Sequence, residues 1–71
     1  MKAANLAKKL VAHAWKAARV DAATVVVEVA PALLFVDTRV LREQTGWRTV
    51  GEYDPETGAC RVLLRDVAES G

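Results

Sequence analysis

The chain is poor in the residues that staple small proteins. Among 71 residues it has one cysteine, Cys60, and one histidine, His13. A single cysteine excludes an internal disulfide, and one cysteine with one histidine gives too few soft ligands for a closed zinc site. No metal and no other cofactor is expected. Long apolar runs are missing too. The most hydrophobic stretch, "VVVEVAPALLFV", is broken by Glu28 and Pro31 and falls short of the roughly 20 residues that a membrane-spanning helix needs. Lys8, Lys9 and Lys16 interrupt any apolar segment near the N-terminus, which argues against a secretory signal. These absences lead to the expectation of a cytoplasmic protein with no membrane partner. There is also no phosphate-cradling glycine loop, no metal-binding spacing and no nucleophile elbow. His13 and Cys60 would form a thiolate–imidazole pair only if adjacent, and the pattern puts Cys60 in the core and His13 at a helix edge. The expectation is a protein that is not an enzyme.

Apolar residues make up 52% of the chain and charged residues 27%, a globular balance rather than a disordered one. The length predicts a single small α+β domain over residues 1–71. A domain of this size buries only about 60% of the surface its unfolded chain exposes. Small domains without disulfide or metal often gain stability by self-association. The net charge of +1 hides an asymmetry. Residues 1–20 carry Lys2, Lys8, Lys9, Lys16 and Arg19 with no acid, giving +5. Residues 21–71 set five arginines against nine carboxylates, giving −4.

Residues 3–19, "AANLAKKLVAHAWKAAR", read as a helix, since Ala, Leu and Lys favour helix and no Gly or Pro interrupts them. At about 100° per residue, Leu6, Ala7, Leu10, Val11, Ala14, Ala17 and Ala18 share one arc, and its alanines imply close approach to a sheet. Residues 24–29, "TVVVEV", are β-branched and read as a strand with Val25, Val27 and Val29 on one face. Residues 33–41, "LLFVDTRVL", admit two readings. A helix would begin with Pro31 as its first residue and end at Gly46. A strand is preferred, because "FVDTRV" makes a poor helix centre.

The last hairpin is "GWRTVGEYDPETGACRVLLRD", in which "DPETG" suits a type I turn with a G1 bulge. With Tyr53 and Ala59 flanking this loop, Val50 faces Val62, Glu52 faces Cys60 and Trp47 faces Arg65. Val50, Cys60, Val62 and Leu64 are then core, and residues 67–71 form a short tail. The predicted architecture is α-β-β-β-β: an N-terminal helix packed on one face of a small antiparallel sheet of three to four strands, without an internal repeat.

One helix leaves the other sheet face open. Alternation collects Val26, Glu28, Phe35, Asp37, Arg39, Trp47, Thr49, Tyr53, Arg61, Leu63 and Arg65 there. That mixture is too apolar for a solvated surface and too charged for a closed core, and Trp, Tyr and Arg are enriched at interface hot spots. Phe35, Arg39, Trp47, Tyr53, Arg61, Leu63 and Arg65 are therefore the candidate interface or ligand-binding residues. The plainer alternative is cross-strand packing in which aromatic rings and arginine stems cover one another. The first functional expectation is a non-catalytic interaction protein, a homo-oligomer and most simply a two-fold dimer through this face. The second is a nucleic-acid-binding module that adds Lys2, Lys8, Lys9, Lys16 and Arg19 as phosphate contacts. Its near-neutral net charge counts against that. The third is a binder of a small apolar ligand, held between Trp47 and Phe35.

Overall fold

Residues 2–67 are described by the computed structural model of the chain. They fold as α1 (Ala3–Ala12), β1 (Lys16–Asp21), β2 (Thr24–Val29), a 3-10 turn (Pro31–Leu33), α2 (Leu34–Thr45), β3 (Arg48–Tyr53) and β4 (Cys60–Arg65). The strands form one four-stranded antiparallel sheet in the order β1-β2-β4-β3. The expected class holds, with an N-terminal helix packed on one face of an antiparallel sheet. A second helix shares that face: α1 lies over β1 and β2, and α2 over β3 and β4.

α1 is shorter than the helix expected over residues 3–19. It stops at Ala12, and Ala14 takes a left-handed backbone with φ 69°. The Ala14 N–H donates to the Val11 carbonyl and the Trp15 N–H to the Leu10 carbonyl, both at 3.0 Å. This pair of bonds is the C-terminal cap usually built on glycine. Helix propensity in "WKAAR" is overridden because Lys16–Asp21 supplies a partner for β2, whose Val25 and Val27 are fully buried. Ala17 and Ala18 consequently sit on a strand. Of the expected helical arc Leu6, Ala7 and Leu10 are buried, joined by Ala3, while Val11 is exposed.

Segment 33–41 is helical, not a strand, and the path from Pro31 to Gly46 is the one the chain takes. Pro31 starts the 3-10 turn. Gly46, with φ 71°, ends α2 by donating its N–H to the Arg42 carbonyl at 2.9 Å. The poor helix centre is rescued from outside. Leu41 is fully buried and Leu34 packs against the core, while the Thr38 hydroxyl is satisfied by the Leu34 carbonyl at 2.6 Å. Burial of a leucine contributes about 1.5–3 kcal/mol, more than the fractions of a kcal/mol by which these residues differ in helix propensity.

The final hairpin forms, but one residue out of the expected register. Asp54 rather than Tyr53 pairs with Ala59, its N–H donating to the Ala59 carbonyl at 2.9 Å, and the loop 55–58 closes on Gly58 with φ 74°. Asp54 Oδ1 also accepts the Glu56 N–H at 2.9 Å, which draws Asp54 into the base of the turn. Tyr53 therefore faces Cys60, Gly51 faces Val62 and Val50 faces Leu63. A one-residue slip exchanges the two faces of a strand. Val50, expected in the core, is 51% exposed, whereas Cys60, Val62 and Leu64 are buried as expected. Trp47, expected on the open face, is only 5% exposed and belongs to the core. Residues 68–71 of the expected tail lie outside the described residues.

No repeat is visible in the sequence, yet the order αββ occurs twice. The two units meet at β2 and β4, antiparallel, as a two-fold axis normal to the sheet would arrange them. Each helix is followed by a left-handed residue, a tryptophan and a basic residue: Ala14-Trp15-Lys16 and Gly46-Trp47-Arg48.

Candidate functional site

Strand pairing organises the open sheet face into three rows. The middle row is Ala18, Val26, Leu63 and Val50, one from each strand and apolar throughout. On one side of it run Lys16, Glu28, Arg61 and Glu52, alternating in sign. Arg61 Nε donates to Glu52 Oε1 at 2.8 Å; in so exposed a position the pair contributes about 0–1 kcal/mol. On the other side run Asp21, Thr24, Arg65 and Arg48. Arg48 opposite Arg65 sets like charges on neighbouring strands, which is unfavourable. Asp21 offsets this in part. Its carboxyl is held below the ordinary range by the Ala23 N–H, which donates to Oδ1 at 2.9 Å, then by Thr24 and by the nearby charge of Arg65.

Of the candidate interface residues, Arg61, Leu63 and Arg65 lie on this face. Trp47 is in the core. Tyr53 falls on the helix-covered side at the end of β3, where it is exposed. Phe35 and Arg39 are on α2, on the other side of the sheet. The face instead receives Lys16, Ala18, Arg48, Val50 and Glu52. The helical reading of residues 16–18 and the slipped hairpin register concealed them. One signal that could have corrected the register is Asp54 before Pro55, because aspartate readily bonds its own backbone two residues on.

The basic set is divided as well. Lys2, Lys8 and Lys9 belong to α1 and its first residue's cap, above the covered face. Lys16 is on the open face, and Arg19 pairs with Val25 on the covered one. The α1 lysines and the open face therefore lie on opposite sides of the sheet.

Two concave regions flank the helices. Trp47 lines a cleft of about 320 Å³ with Leu10, His13, Trp15 and Thr45, between the C-terminal ends of α1 and α2. Phe35 lines a separate groove of about 700 Å³ between α2 and β3, with Leu34, Thr38, Arg39, Arg42 and Gly51. The single apolar pocket expected between Trp47 and Phe35 does not form. Phe35 is 91% exposed. Cys60 is buried at the start of β4, while His13 is exposed, with Nδ1 2.8 Å from the Lys9 carbonyl. The two line different cavities. Among the described residues no three His, Cys, Asp or Glu side chains cluster as metal ligands, and no helix is long and apolar enough to cross a membrane. No protein-family model, curated protein or solved structure matches the chain, so its functional reading rests on its own surfaces.

Proposed function

We propose that the chain is a non-catalytic interaction protein that pairs with a second copy of itself through the open sheet face. The observation that carries this reading is the self-complementarity of the three rows. A two-fold axis along the strands, between β2 and β4, would lay each row over itself in reverse. Lys16 of one copy then meets Glu52 of the other, and Glu28 meets Arg61. Asp21 meets Arg48, Thr24 meets Arg65, and the apolar row packs Val26 against Leu63 and Ala18 against Val50. Such an interface is isologous and closes on itself. It also keeps the strands of the two sheets nearly aligned, as stacked sheets prefer.

The area sets the strength. Four strands about 4.8 Å apart, each rising about 3.3 Å per residue, present a flat area of roughly 400 Å². A standard interface takes about 800 Å² from each partner. The face is about half the standard size, which belongs with the small, transient class of interfaces. Sedimentation equilibrium from micromolar to millimolar concentration tests this: the wild type is expected to dimerise, Leu63→Lys to stay monomeric, and Glu28→Arg to weaken the dimer. A wild type that remains monomeric at millimolar concentration sinks the proposal. Trp47→Ala would report on folding rather than assembly, because that side chain is buried. A cytoplasmic location belongs to the same proposal and is supported by the unpaired, buried thiol of Cys60.

The second reading, nucleic-acid binding, is supported by Arg48 opposite Arg65 on the face that also carries Arg61 and Lys16. It would use the sheet alone. It predicts salt-sensitive binding that is lost in Arg48→Gln/Arg65→Gln and retained in Lys8→Gln/Lys9→Gln.

A further inference from the structure

A free sheet edge lies beneath the flank of a helix in the second αββ unit. β3 pairs with β4 and with no other strand among the described residues. Asp54 and Ala59 form a hydrogen-bonded pair, and antiparallel ladders alternate such pairs with non-bonded ones. Glu52, Val50 and Arg48 therefore bond to β4. Thr49, Gly51 and Tyr53 aim their N–H and C=O groups at the free edge. α2 passes close above. A Cβ placed on Gly51 would stand 3.2 Å from Leu34 Cδ1 and 3.3 Å from Thr38 Oγ1, so the missing side chain is what admits the helix.

Outside that line of contact lie Phe35, Arg39 and Arg42, spaced i, i+4 and i+7 on one stripe of α2. With Gly51 they line the groove. Phe35 is almost fully exposed. Neither arginine has an ion-pair partner among the described residues, and no carboxylate lines the groove. The stripe is an apolar anchor followed by two free cations, beside a row of unpaired backbone groups.

The geometry points to this edge and flank as a docking site for an extended acidic peptide segment of another protein, added to the sheet beside β3. Strand addition satisfies the free backbone groups, and alternate side chains of the incoming segment supply specificity. The residue opposite Gly51 would direct its side chain to the helix-covered side, into the groove beside Phe35. Residues two places along would approach Arg39 and Arg42, where aspartate or glutamate makes charge-assisted bonds. A second copy of this chain fits poorly. Pairing β3 with its own copy about a two-fold would lay the two stripes antiparallel and bring no carboxylate to either groove, leaving all four arginines without a partner. The site does not depend on the proposed dimer, which uses the opposite side of the sheet.

The test uses a capped decapeptide of alternating glutamate and valine, with its lysine–valine counterpart, titrated against the whole chain by fluorescence anisotropy and amide NMR. The glutamate peptide is expected to bind, more weakly as salt rises, and to shift the amides of Thr49, Gly51 and Tyr53. Arg39→Glu/Arg42→Glu is expected to lose about tenfold or more in affinity for it and to gain affinity for the lysine peptide. Thr49→Pro removes an outward N–H without touching a β4 bond and is expected to abolish binding. If that variant does not fold, Arg39→Gln/Arg42→Gln carries the test alone. The proposal is overturned if both peptides bind equally, if neither binds at millimolar concentration, or if the arginine variants leave binding unchanged. It is also overturned if a single-stranded oligonucleotide binds the groove more tightly than the glutamate peptide, or if Arg39→Glu/Arg42→Glu changes the oligomeric state instead.

Discussion

The two αββ units share a topology and meet the sheet differently. In the first, α1 has ten residues and buries Ala3, Leu6, Ala7 and Leu10. Two of those four are alanines on the helix, which shorten the distance to the sheet. In the second, α2 has twelve residues and buries only Leu41, leaving Leu33, Phe35 and Val36 beside it exposed. Close approach there comes from the sheet, through Gly51. The first hairpin turns through the two residues between Asp21 and Thr24, the second through the four between Asp54 and Ala59. One unit exposes only two large apolar side chains, Val11 and Val20. The other carries a surplus outside, beside a free edge, and that is where a partner should be sought.

The tryptophans separate the units most sharply. Trp47→Ala is expected to destabilise the fold by about 3–5 kcal/mol, a large share of the stability of so small a domain. Trp15 is only half-buried, and Trp15→Ala should cost about 1–3 kcal/mol. Equal losses in urea denaturation would break the comparison. The caps come next. Gly46→Ala meets no atom within 4 Å, so its cost is that of a left-handed alanine, about 1 kcal/mol. Ala14→Gly relieves the same strain in the first unit and should stabilise by about 0.5–1 kcal/mol. Thermal melts of the two variants are expected to move in opposite directions.

Phe35→Ala should change stability by less than about 0.5 kcal/mol, as exposed substitutions do. A larger loss would place Phe35 with the core and erase the contrast between the units. Asp21 gives the smallest effect. Its carboxyl is held low chiefly by the Ala23 N–H, so the ionised form favours the fold above the ordinary carboxylate value of about 3.9. That contribution disappears as pH falls through the lowered folded-state value. An NMR titration of Asp21 should show the displaced midpoint, and Asp21→Asn should remove the dependence at the first hairpin.

How far the sequence could be read differs by element for identifiable reasons. "TVVVEV" was legible because β-branched residues on both faces leave few options besides a central strand. "KAARVD" was not, since its composition favours helix and β2 recruits it as an edge. The end of α1 was hidden because alanine, not glycine, takes the left-handed position. α2 carried visible signals at Pro31 and Gly46, but its β-prone centre outweighed them until burial of Leu41 entered. On the candidate face, Arg61, Leu63 and Arg65 were read correctly from β4 alternation. Val50 and Trp47 were not, because the backbone of Asp54 joins the ladder and shifts β3 by one.

The sequence alone determined the α+β class, the strand 24–29, the start of the N-terminal helix and the existence of the last hairpin. Each rests on propensity, periodicity or a turn signal contained within a few neighbouring residues. Tertiary structure alone decided where α1 stops, that residues 34–45 coil rather than extend, and which side chains of β3 meet water. Those choices differ by fractions of a kcal/mol per residue locally, and burial against distant strands, about 1.5–3 kcal/mol for each large apolar side chain, settles them.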